Sequence, residues 1–213
     1  MNKLLVSDII KLENNKYELD IKSKDIDIEI NGNVTLYLIN QILERINITI
    51  NDNSNLILYK FNNYKESDLE VIINQNNNST LIYNEAIINQ KDNKLIINNY
   101  IKGNNNKSII NIRNISNKNN SNIVINVDIK KNTFNNIALE DLKGINNGGN
   151  IQIEPNIICE SNEVEANHLT TIGSIDENYI SYLNSKMIDT EKAKELLLKG
   201  FIYSKMDNYI KEY

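Results

Sequence analysis

The chain has 213 residues, enough for one compact unit with a small appendage, and carries 23 Lys and Arg against 28 Asp and Glu for a net charge of −5. No block of like charge interrupts it, which argues against a nucleic-acid partner. A single cysteine, Cys159, and a single histidine exclude a disulfide framework and a zinc site of Cys and His spacing, and fit a reducing, intracellular home.

The opening Met1-Asn2-Lys3-Leu4-Leu5-Val6-Ser7-Asp8 meets an acid at position 8, so neither a signal peptide nor a membrane span is expected, and the localisation expected is cytoplasmic. The 43 Asn and 39 Ile are what an AT-rich genome over-supplies, so position is more informative than abundance. From about residue 4 to 170 apolar residues recur at period two, the spacing that puts them on one face of an extended chain. Ile26/Ile28/Ile30, Val34/Leu36/Leu38, Ile46/Ile48/Ile50 and Ile123/Ile125/Val127/Ile129 are the clearest runs. Between them lie Asn-rich breaks at Asn51-Asp52-Asn53, Asn76-Asn77-Asn78, Asn104-Asn105-Asn106 and Asn117-Lys118-Asn119-Asn120, which read as turns. Asn tolerates the left-handed backbone region and stands here for the scarce Gly, of which there are 7.

Many short strands without intervening helices leave a sandwich, a barrel or a β-solenoid. Tight hairpins favour Asn-Gly or Gly-Gly, and the candidates are Asn31-Gly32 and Asn147-Gly148-Gly149, too few for an up-and-down barrel. A parallel β-solenoid needs no hairpins and suits Ile and Val columns inside with Asn at the corners, although no clean repeat length emerges. Scattered carboxylates on alternate strand positions read as a solvated face. Cys159, after Ile157-Ile158, reads as a small buried hydrophobe, with a thiolate ligand as the alternative. His168 has no second histidine for a metal pair.

At Gly173 the pattern changes, so the expected division is a β body over 1–173 and a helical subdomain over 174–213. Ser174-Ile175-Asp176-Glu177 has the form of a capping box, followed by Ile180, Leu183 and Met187 at helical spacing. Asp189-Thr190-Glu191 predicts a second start, with Ala193, Leu196, Leu197 and Phe201 on one face and Ile202, Met206 and Ile210 extending the helix beyond Gly200. The helical face is expected to cover the solenoid's end. No Walker loop, G-x-G-x-x-G, H-E-x-x-H or G-x-S-x-G is present.

Pro155 to Phe201 resembles the C-terminal segment of the SufB/SufD family, the scaffold proteins of SUF iron–sulfur cluster assembly. The order Pro155, Glu160, Glu163, Val164, His168, Thr171, Ile172, Gly173 is similar to the family's pattern. Its continuation follows in Asp176-Glu177, Tyr182-Leu183-Asn184-Ser185-Lys186-Met187, Ala193 and Gly200-Phe201, with Lys186-Met187 where the family has Arg-Gly. The family's N-terminal helical region has no counterpart here, and no Cys lies among residues 130–155, where a SufB-type cysteine is expected, so the chain looks SufD-like, shortened and diverged. The resemblance implies a right-handed parallel β-helix with a helical subdomain and no catalytic activity of its own. It implies a metal-ligating role for His168, with Cys159 as a second candidate, toward a transient iron–sulfur cluster shared with a partner subunit and otherwise no cofactor. It further implies a SufC-like ATPase docked through Tyr179, Tyr182, Leu183, Ser185, Leu196, Phe201 and Tyr203, and a second SufB/SufD-like subunit or a homodimer near His168. The alternative is a β-solenoid that serves as an interaction or structural module without cluster chemistry. A polysaccharide-active β-helix would need an acid cluster and a secretion signal, and neither is visible.

Overall fold

The structure, a computed structural model, describes residues 1–63 and 68–212. Chain order is β1 (Asn2–Val6), β2 (Ile9–Ile21), β3 (Asp25–Ile39), β4 (Arg45–Ile50), β5 (Asn55–Asn63), β6 (Asp68–Gln75), β7 (Thr80–Asn89) and β8 (Asn93–Ile101). Then follow β9 (Lys107–Ser116), β10 (Asn120–Ile129), β11 (Asn136–Asn146), β12 (Asn150–Cys159), β13 (Val164–Gly173), α1 (Glu177–Ser185) and α2 (Thr190–Ile202). Every strand pairing among the described residues is parallel. Even-numbered strands β4 to β12 stack on one face and odd-numbered β5 to β13 on the other, joined by β3, which runs through both. This is the parallel β-solenoid that alternation without hairpins predicted.

The alternation sets which side chains face inward. Ile26, Ile46, Val71, Ile97 and Ile125 form one interior column in register, and none is more than 1% exposed. Each fully buried aliphatic of this kind contributes about 1.5–3 kcal/mol relative to exposure. The turns use asparagine as expected. Asn53, Asn78, Asn105 and Asn135 all have φ between 53° and 57°. Their amides form a ladder: Asn78 donates to Asn53 (3.2 Å), Asn105 to Asn78 (3.0 Å) and Asn135 to Asn105 (2.9 Å). Asn31-Gly32 is a corner within β3 rather than a hairpin. Gly32 has φ 70°, and a Cβ there would lie 2.1 Å from the Asn14 side chain.

A single outer column explains why no repeat length could be read. Ile9, Asp27, Asn47, Ile72, Asn98, Asn126 and Asn156 are successive register partners, so the offset from one coil to the next grows from 18 to 30 residues. Each coil is longer than the one before.

The helices depart from expectation in three respects. Asp176, not Ser174, caps α1, its carboxylate accepting from the Asn178 N–H at 2.8 Å; a carboxylate there is also favoured by the positive helix end. Asp189 caps α2 as expected, accepting from Lys192 N–H at 2.9 Å. That helix ends at Ile202, and Met206 and Ile210 are buried from the turns that follow it. The tail also lies along the solenoid's wall rather than over its end. Ile202, Met206 and Ile210 pack on Tyr37, Ile39, Phe61, Ala86 and Ile115, which point outward from the odd-numbered face. Tyr203 stacks on Phe61 with ring centroids 5.7 Å apart, and Tyr209 bonds to Glu18. Arg113 links wall and tail, donating to Asp141 at 2.7 Å and to Ser204 at 3.1 Å. Burial opposes ionisation of Asp141, but Arg113, Lys205 and Lys143 hold its carboxyl below the usual 3.8.

Candidate functional site: the open last coil

Because the tail runs back along the wall, β12 and β13 end the solenoid with no coil above them. Each pairs along one edge only, β12 with β10 and β13 with β11. Residues of inward parity, buried in earlier coils, are here covered from one side: Ile153, Ile157 and Val164 are half-buried and Ile172 is exposed. Outward-facing Ile158 and Leu169 are exposed as well. An apolar strand end with bare backbone groups is a surface built for covering by another chain.

His168 occupies the centre of β13. It is the last member of the interior column Leu36, Leu58, Tyr83, Ile110, Glu140, and so shares their inward side. It is exposed because the column ends with it. Cys159 likewise terminates the interior column Ile30, Ile50, Gln75, Ile101, Ile129. Its position is that of a buried hydrophobe, yet it is exposed, which corrects the burial expected from its apolar neighbours: the next coil that would cover it does not exist. Its thiol donates to the Ser161 carbonyl at 3.1 Å. Among the described residues no three His, Cys, Asp or Glu side chains gather into a metal site.

Three charged residues lie inside the solenoid, against the reading of all carboxylates as a solvated face. Lys60 and Glu85 pair at 2.7 Å with side chains 0% and 1% exposed, and the Tyr83 hydroxyl donates to the other Glu85 oxygen at 2.5 Å. Glu140 is 4% exposed, and neither carboxylate oxygen has a hydrogen-bond partner. Burial raises its pKa from the usual 4.5 to about 7. The Thr170 hydroxyl, in the last coil, is also buried without a partner. The signal was the parity: Tyr83/Glu85/Ile87 and Ala138/Glu140/Leu142 each continue an interior run.

On the helices, Tyr179, Tyr182 and Leu196 are exposed at 61%, 60% and 42%. Leu183 is half-buried, and the exposed Ser185 donates to the Tyr182 carbonyl at 2.6 Å. Phe201 and Tyr203 are half-buried against the wall.

A parallel solenoid with a helical extension and an unsealed end is an architecture that presents surfaces to other chains. Residues 144–201 match the family described as SUF system FeS cluster assembly, SufBD core domain, and this match supports membership of the SufB/SufD family. The matched segment runs from the end of β11 to α2 and contains Cys159, His168 and the exposed tyrosines of α1. No curated protein matches the chain. No helix among the described residues is long and apolar enough to cross a membrane.

Proposed function

We propose that the chain is a non-catalytic, SufD-like scaffold subunit for cytoplasmic iron–sulfur cluster assembly. A nascent cluster, its cargo, would be met at the open last coil by His168, with Cys159 as a second donor, and completed by ligands from a second SufB/SufD-like subunit or a second copy. The observation that carries this reading is the exposure of the chain's one imidazole and one thiol at the unsealed end, inside the segment that matches the SufBD core. Imidazole nitrogen and thiolate sulfur both suit iron, and a cluster usually takes four protein ligands, so one chain is insufficient and sharing across an interface follows. A SufC-like ATPase would dock on Tyr179, Tyr182 and Leu196, with Leu183 and Ser185 beside them, because large tyrosine area is available at small rotamer cost.

The test is anaerobic reconstitution with iron and sulfide in the presence of the partner subunit. Visible charge-transfer absorption should form and weaken in His168→Ala. A colourless wild-type complex would reject the cluster role and leave the solenoid as an interaction module.

A further inference from the structure

The solenoid interior holds two glutamates that differ in one respect. Glu85 is answered within the chain by Lys60 and Tyr83. Glu140 is as deeply placed, yet both of its oxygens lack a partner. Buried carboxylates persist in proteins when they are paired, hydrogen-bonded or bound to a metal. In the next coil His168 is its direct register partner on the same side of the sheet. Neighbouring strands are about 4.8 Å apart, so the two side chains leave the backbone close enough for one ion to meet both. Glu140 precedes the segment that matches the SufBD core, so the match assigns it nothing.

We propose that Glu140 is a ligand of the open end, its carboxylate joining the His168 imidazole around a divalent first-row transition-metal ion of the iron(II) class. An oxygen donor beside an imidazole nitrogen suits such an ion, and the absence of an internal cation leaves the carboxylate charge to be balanced by it. Glu85 shows the contrast, since its charge is already neutralised by Lys60 and it faces no open coil. The proposal rests on the assignment of His168 as a metal-meeting residue and adds a second donor to it.

The experiment is an anaerobic titration of the full chain with Co(II) alone, read by NMR at the ring signals of His168, the one histidine in the sequence. Paramagnetic shifts of that ring should accompany binding in the wild type. Glu140→Gln should weaken the apparent affinity about tenfold or more, the usual loss when a supporting metal contact is removed. Its metal-free ring signals should stay in place, which a general structural disturbance would not allow. Glu140→Asp keeps the charge but withdraws it by one methylene, and should fall between the two; it serves in place of the Gln variant if that one does not fold. An affinity within twofold of wild type in Glu140→Gln, with His168 still responding, overturns the proposal and leaves the His168 assignment standing. No response of His168 in the wild type overturns it too, while reconstitution with the partner subunit judges the scaffold reading separately.

Discussion

Replacing Glu140 by Gln should stabilise the metal-free protein, by an amount that depends on pH. In the folded chain burial raises this carboxyl from the usual 4.5 to about 7, whereas in the unfolded chain it titrates near its ordinary value. Between those values the folded state holds a proton that the unfolded state has released, so stability falls as pH rises through the window. The contribution is fully present below about pH 4.5 and gone above about pH 7. A shift of roughly 2.5 units corresponds to about 3 kcal/mol at 1.36 kcal/mol per unit. Glutamine keeps the shape and cannot ionise, so its advantage over the wild type should be small at pH 5 and approach 3 kcal/mol by pH 8. Urea denaturation of both proteins with a chelator present, at several pH values and one ionic strength, measures the difference, and other carboxylates cancel in the comparison. The reasoning is refuted if the two curves differ by the same amount at pH 5 and pH 8.

The buried pair offers a second test: Lys60→Met strands Glu85 in the interior and should cost about 3–5 kcal/mol, while Lys60→Met with Glu85→Leu should recover most of it in thermal melts. Asn78→Val places a β-branched residue at φ 53° and removes a rung of the amide ladder, so a loss of about 2 kcal/mol is expected, against a smaller loss for Asn78→Gly; equal midpoints in urea would contradict the turn's role. Tyr179→Ser with Tyr182→Ser should weaken capture of the cognate SufC-like ATPase at least tenfold without lowering the melting temperature, since both rings are exposed; unchanged capture would place that interface elsewhere.

Much of the body was legible because its rules are local. Alternating Ile and Val announce a buried face, and Asn triplets announce the left-handed turns that Gly would otherwise supply. Two features were not. Lys60, Glu85 and Glu140 sit at interior parity but carry charge, and a pattern read by hydrophobicity sends charged residues outward. The tail's course depends on apolar residues of the opposite parity, as in Leu36-Tyr37-Leu38-Ile39 and Ala86-Ile87-Ile88, where odd and even positions are both apolar because both sides of the wall are covered. Continuous apolar runs of this kind mark where an alternating strand receives a second layer. At the candidate site, His168 and Cys159 could be named from the sequence, but their exposure could not, since it follows from the tail lying along the wall and leaving the last coil open.

The steady lengthening of the coils makes the stack a taper. At the narrow end the interior is aliphatic, with Leu12, Leu19, Ile26, Ile28 and Ile30 filling it; toward the wide end Asn99, Asn114, Asn136 and Glu140 enter. A stack of equal coils can lose or gain one, or slip by one, and still match its neighbours. Here a coil of 20 residues placed against one of 26 would misalign both the turn ladder and the interior columns. Each coil therefore has one correct neighbour on either side. Deletions or duplications of whole coils, the usual route by which solenoids change length, should be poorly tolerated, and growth is confined to the two ends.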